Sequence, residues 1–436
     1  MKLRDGNWSS VPSAAMRGVF AAWSVSPLRP GLVARAALGK GLVPTIVLAW
    51  VALGIAVQFS ASAAPAAAKV AASPASYTFD LAYQETDEEL VTRSVDIKLQ
   101  SNPFQKEPTL PGQKVFRGSL VWGSRPEQDM AFIWDKGRGR LLLDLNRNRD
   151  LTDDPKGLFA SASKDDYQSF TNIHLVLPTA TGDRSVRLQL DLSSYQVGTV
   201  RAYAGLCSYW QTRLSVRGKE WQFGLVENVP DGKATASPRY LLLRPWAERE
   251  RAFHLGSSTP DGFDYTKNLF FDNRAYELDS RYDAGGDSPK YKVTFKEQDP
   301  RLGDLKVTGS NLHRVILTMK PAMTVILDQP QGTVKLPVGS YALAEIWLRA
   351  GEAEVGTFSA GKLSVSEQRP ASLLAGGPLT NSVEVKSERD SLRLNYVLLG
   401  ADGRAYKNPR PDTKHPPEFA VFQGTNRLAT GKFNFG

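Results

Sequence analysis

The chain has 436 residues, 42% apolar and 10% aromatic, with 36 Gly and 27 Pro. That size calls for two or three domains, and that composition fits a β-rich globular protein better than a helical or disordered one. The formal charge of +9 is front-loaded: residues 1–40 carry six basic side chains against Asp5, whereas the rest hold 48 basic and 44 acidic groups. A nearly balanced body excludes an electrostatic footprint for nucleic acid, and a single cysteine, Cys207, excludes an intramolecular disulfide or a multi-cysteine zinc site.

In chain order, residues 1–40 read as a basic leader and 41–63 as a secretory signal, an uncharged apolar run that ends at Ala61-Ser62-Ala63, a small-x-small cleavage pattern. The apolar run, 41–59, is also close to the length of a membrane span, so a retained N-terminal anchor is the alternative. Residues 64–76 are an Ala/Pro linker. From there the pattern becomes short alternating runs broken by Gly, Pro, Asn and Asp, and residues 95–99, 115–122, 130–134 and 186–192 read as strands. The expected fold class is all-β, with a β-rich domain over 77–300. Residues 301–436, with strand-like runs at 314–320, 333–347 and 392–398 and a turn at Gly424, are expected to form an immunoglobulin-like β-sandwich region.

Inside the first domain, Asp144-Leu-Asn146-Arg-Asn148-Arg-Asp150-Leu-Thr152-Asp153-Asp154 makes the most specific chemical suggestion. Oxygen-bearing side chains stand at alternate positions and end in a carboxylate pair, the donor pattern a hard cation needs. The alternative is a polar hairpin loop capped by its own Asx side chains. A weak internal repeat surrounds it: Phe132 to Asp144 is echoed by Phe223 to Arg244, aromatic strand, polar turn, then Leu-Leu-Leu. In the echo Arg244 stands where the loop has Asp144, and a guanidinium cannot coordinate a cation.

This loop resembles the EF-hand-type calcium loop shared by EF-hands and dockerins. The resemblance implies side-chain ligation by Asp144, Asn146 and Asn148 and a backbone carbonyl from Asp150. It also departs from that pattern. Arg149 replaces the turn glycine and is expected to be strained or left-handed unless the loop is wider, Pro155 replaces the closing acid so that Asp153 or Asp154 must close the sphere, and a strand replaces the entering helix. Calcium, bound weakly, is the expected cofactor. The chain also resembles a family of uncharacterised exported bacterial proteins that pair a Leu-rich strand and an Asp-Leu-Asn loop with C-terminal β modules, a resemblance that implies no activity.

Other chemistry is thin. His174, His254, His313 and His415 show no metal spacing; 356–362 imitates a phosphate loop until Leu363; and the acid pairs Asp165 with Asp166 and Glu88 with Glu89 carry no spatial information. Cys207 reads as a small buried hydrophobe, and Tyr209 and Trp210 as core before sugar platforms. The expected function is a non-enzymatic binding or structural protein of the cell envelope, periplasmic or extracellular, its fold stabilised by calcium. Its partner is expected to be an envelope polysaccharide or protein, with a membrane touched only through an uncleaved 41–59. The alternative is a secreted polysaccharide hydrolase using paired carboxylates.

Overall fold

The computed structural model describes residues 75–433 except 101–103, 111–113, 123–128, 164, 178–182, 197–198, 228–237, 252–254, 256–258, 284, 286–289, 321–322, 352, 389–390, 409–413 and 415. The leader, the 41–63 segment and nearly all of the linker lie outside the described residues. One compact unit spans Pro74–Asp412, and Thr413–Gly436 belongs to a second. The described residues contain no α-helix.

The large unit opens with β1 (Ser76–Glu85) and then builds a complete eight-stranded sheet. Its strands are β2 (Val91–Leu99), β3 (Val115–Val121), β4 (Met130–Asp135), β5 (Arg140–Leu143), β6 (Leu158–Ala160), β7 (Tyr167–Leu177), β8 (Arg184–Gln196) and β9 (Thr199–Leu206). They lie in the order β6-β5-β4-β3-β2-β9-β8-β7. The chain next adds β10 (Ser208–Val216), β11 (Lys219–Val226), β12 (Tyr240–Pro245), β13 (Gly262–Asp264), β14 (Asn268–Phe271), β15 (Arg274–Asp283) and β16 (Lys290–Gln298). With β1 these run β13-β12-β11-β10-β1-β16-β15-β14. The two orders are the same once β1 takes the place of β2, and every neighbouring pair in both is antiparallel. The first copy is thus inserted between the first and second strands of the second copy.

The strands follow the hydrophobic alternation. On β8, Val186, Leu188, Leu190 and Leu192 all face the core, as a period of two requires. Each such side chain contributes roughly 2 kcal/mol relative to exposure. The run 268–278 folds as the β14–β15 hairpin, broken at Asp272 and Asn273, both with positive φ. Strand β4 is buried along its whole length: Phe132 and Trp134 enter the main core, and Ala131 and Ile133 are covered from the other side by Phe104 and Leu151.

After residue 300 come β17 (Leu302–Thr308), β18 (Leu312–Met319), β19 (Met323–Asp328), β20 (Gly332–Pro337), β21 (Gly339–Ala350), β22 (Ala353–Val365) and β23 (Ala371–Leu374). A β20-β17-β23 sheet and the strands β19-β18-β21-β22 enclose one core of Leu305, Val315, Leu336, Ile346 and Leu373 among others, which makes a β-sandwich. Strand β19 also pairs in parallel with β14, so one continuous sheet of twelve strands includes residues from both sides of position 300. β24 (Thr380–Glu388), β25 (Ser391–Leu399) and β26 (Ala405–Tyr406) form a small three-stranded sheet. In the C-terminal unit, β27 (Glu418–Gln423) and β28 (Asn426–Lys432) are a hairpin turning at Gly424.

Candidate metal centre

The Asp144–Asp154 loop leaves the end of β5 and returns into β6. Asp144 is 1% exposed, and the backbone around it curls so that successive N–H groups face its carboxylate. Arg147 and Arg149 both adopt left-handed φ, 61° and 64°, and the Arg149 N–H donates to Asp144 Oδ2 at 3.0 Å. Alternating right- and left-handed residues make an anion-holding nest of this kind. Of the strained or left-handed conformations expected of Arg149, the left-handed one is found, and Arg147 shares it.

The alternate Asx residues form a ladder of local turns. Asn146 Oδ1 accepts from Asn148 N at 3.0 Å, Asn148 Oδ1 from Asp150 N at 2.7 Å, and Asp150 Oδ1 from Thr152 N at 2.8 Å. Each is an i to i+2 contact that needs only an Asx side chain and a permissive backbone. Asp153 accepts from the Asn146 and Asn148 amides at 3.1 and 2.6 Å. Asp150 turns its carboxylate outward to Thr152 and Lys106. The loop therefore joins Asn146, Asn148 and Asp153 by hydrogen bonds, sets Asp144 and Asp153 near enough to Asp154 to act on its charge, and leaves the Asp150 carboxylate on Thr152 and Lys106.

Two oxygens in this group have no partner. Asp144 Oδ1 and Asp154 Oδ2 are both buried and accept nothing. Burial is the first cause that raises the pKa of each, and their neighbours add to it: Asp153 acts on Asp144, and Asp144 and Asp153 act on Asp154. An orphaned buried carboxylate oxygen is costly, and two that repel one another are more so. The amide oxygens of Asn146 and Asn148 each keep a second lone pair beyond their backbone bond. Among the described residues, no three Asp, Glu, His or Cys side chains gather as a preformed metal cluster. A cation here would have to combine carboxylate with amide and carbonyl oxygens, an all-oxygen set that suits calcium or magnesium and not zinc or copper.

Two residues that sequence reasoning passed over hold the loop in place. Leu151, 5% exposed, is the loop's apolar anchor against Ile133 and Phe104, and its N–H donates to Lys106 O at 3.1 Å. A lone leucine between Asp150 and Thr152 was the available signal. Gly157 closes the loop, its O accepting from Leu143 N at 2.9 Å, and a Cβ there would stand 2.3 Å from Leu143 O. Gly157→Ala is therefore expected to lower unfolding free energy by about 1–3 kcal/mol through overpacking, measured by urea denaturation; a loss below about 0.5 kcal/mol would show that the strands part easily.

The internal echo has a matching geometry. Phe132 pairs with Leu143 as Phe223 pairs with Leu243, and Leu142 pairs with Leu158 as Leu242 pairs with Gly262. The Leu143 N to Gly157 O bond recurs as Leu243 N to Asp261 O at 3.0 Å. At the position of Asp144, Arg244 is buried and donates to Gln222 Oε1 at 2.6 Å, to the carbonyls of Arg249 and Arg251 at 2.5 and 2.7 Å, and to Asp261 Oδ2 at 3.4 Å. Asp261 also accepts from the buried Arg314 at 3.2 Å. In the second copy, residues fixed to the chain supply the positive charge.

The remaining candidates are committed elsewhere. Burial pushes the Cys207 thiol up to about 11; Tyr209 and Trp210 are core; 356–362 lies within β22. His174 meets Glu85 at the surface. His313 is buried on β18, and His254 and His415 lie outside the described residues. Asp166 pairs with Lys136, Asp165 with Ser163, and Glu89 with Thr92 and Gln189. No family model, curated protein or solved structure matches the chain.

Proposed function

We propose that this is an exported, non-enzymatic binding or structural protein of the cell envelope, whose first eight-stranded copy is tied together by a calcium ion in the Asp144–Asp154 loop. The observation that carries the metal reading is the pair of orphaned buried oxygens, Asp144 Oδ1 and Asp154 Oδ2, in a loop of Asx oxygens. Asp144, Asn146, Asn148, Asp153 and Asp154 supply side-chain oxygens, and Asp150 its carbonyl. Asp153 must release the Asn146 and Asn148 amides for the ion to enter, which weakens binding. Export is supported by residues 41–63, and the immunoglobulin-like type of the sandwich by its two packed sheets of short, mostly antiparallel strands.

At a dissociation constant of about 0.1–1 mM, as in extracellular modules, 10 mM calcium stabilises by roughly 1.4–2.7 kcal/mol, a melting shift of about 2–4 °C for a unit of this size. The sign with pH follows from Asp144. Its folded pKa lies above its unfolded value, so without a cation its contribution is fully present below about pH 4 and is lost as pH rises through the folded value. Calcium needs the ionised carboxylates, so the calcium-induced shift grows over the same window. Asp144→Asn removes that pH slope, melts no lower than wild type in chelator at pH 7, and loses the calcium response. Thermal melts and calorimetry in calcium and in chelator read all three, and a variant that keeps the response sinks the assignment.

A further inference from the structure

Two adjoining cavities flank the turn between β19 and β20. One, about 570 Å³, is walled by that turn and by the β17–β18 and β21–β22 turns; the other, about 420 Å³, lies between it and the β14–β15 turn. Gln329, Pro330 and Gln331 line both, so the turn is the ridge of one longer groove. Each volume is within the range of about 300–1,000 Å³ usual for small-molecule sites.

The charges at these walls are already matched. Arg349 pairs with Glu248 and Glu354, each at 3.0 Å, Lys219 with Asp272, and Asp328 with Arg314 at 2.6 Å. His313 stays neutral, because burial, with Arg349 and Arg314 beside it, pushes its pKa down to about 3. The uncommitted groups are neutral: among the described residues, the side chains of Ser310, Asn311, Gln329, Gln331 and Asn273 make no hydrogen bond. Each carboxamide offers an acceptor oxygen and two N–H donors. Asn273, Asn311 and Gln329 also have left-handed backbones, with φ of 60°, 59° and 44°. Hairpin turns favour Asn there, but Gln329 gains no such ease, and strain of this kind gathers at working sites.

We propose that the two cavities form a single groove for a neutral, polyhydroxylated ligand, an oligosaccharide chain, held across the Gln329–Gln331 ridge by amide-to-hydroxyl hydrogen bonds. A charged ligand would find no free counter-charge, whereas vicinal hydroxyls both donate to and accept from the same amides. This goes beyond the calcium loop and rests on the proposed function only in treating the protein as a binding component.

The test is calorimetric titration of the full chain with cellohexaose, maltohexaose, xylohexaose and mannohexaose, with an oligogalacturonate as the charged comparison, in calcium and in chelator. At least one neutral oligomer is expected to bind, and Gln329→Ala with Gln331→Ala to weaken it about tenfold, roughly 1.4 kcal/mol, with unchanged melting. Asn311→Ala with Asn273→Ala is the second variant should the ridge variant misfold. Failure of all four neutral oligomers at millimolar concentration, preference for the charged one, or indifference to both variants overturns the proposal. Saccharide binding without a calcium response sinks the loop assignment alone, and the converse sinks the groove alone.

Discussion

Asp261→Ala is expected to cost about 3–5 kcal/mol of unfolding free energy, because it strips a buried acid from two buried guanidiniums. Asp261 is 2% exposed, Arg244 1% and Arg314 0%. Arg314 keeps Asp328 and the carbonyls of Leu243 and Pro260. Arg244 keeps the Gln222 amide and the carbonyls of Arg249 and Arg251. The loss therefore falls on the two buried guanidiniums that share Asp261. Asp261→Asn preserves the shape and one acceptor and should cost clearly less. The pair Arg244→Met with Asp261→Leu removes both charges and should recover much of the loss, since a well-packed apolar pair often equals a buried ion pair. Chemical denaturation of the four proteins gives the comparison; a single variant within about 0.5 kcal/mol of wild type would mean that water reaches the network.

Leu151→Ala is expected to lower stability by about 2–4 kcal/mol, the usual span for a buried leucine, and to weaken calcium binding in the same protein. The side chain covers Ile133 on the outer face of β4, while the main chain of the loop bonds Gln105 and Lys106 on either side of it. Removing the anchor leaves a cavity and frees the loop, so the oxygens must be ordered at the moment the ion binds. Calorimetry with calcium separates the two effects. A stability loss with unchanged affinity would show that the Asx ladder holds its shape without the anchor.

Set side by side, the two copies meet one problem in two ways. Both place a charged side chain at the end of a Leu-Leu-Leu strand, beside the residue that returns the chain to the sheet. In the second copy Arg244 answers Asp261 directly. In the first, Asp144 has backbone N–H groups on one oxygen and no partner on the other. That contrast is the ground on which a mobile cation is proposed for the first copy, and a local reading of the echo already placed the change of sign at Arg244.

Much of the fold was legible because strand alternation and turn chemistry are local. The runs at 95–99, 130–134 and 186–192 fall inside strands and that at 314–320 overruns its strand by one residue, and the Asx ladder joins residues only two apart, so spacing along the chain sufficed. The pairing of β1 with β10 and β16 was not legible, since it joins segments more than 120 residues apart and no local pattern records a partner. Nor was the part of Gly157, whose need to be glycine arises from a carbonyl brought alongside by the return of the chain.

By itself, then, the sequence determined the class of structure and the oxygen-rich loop, both consequences of residue type acting over a few positions, and narrowed Arg149 to a strained or left-handed backbone or a wider loop. Tertiary structure alone decided which oxygens of that loop are buried without a partner, where Leu151 anchors it, and that the same strand order occurs twice with one copy inserted in the other. It also decided which amides around Gln329 line a groove. Burial and partnership depend on what the rest of the chain brings near, and that is set by packing across long sequence separations.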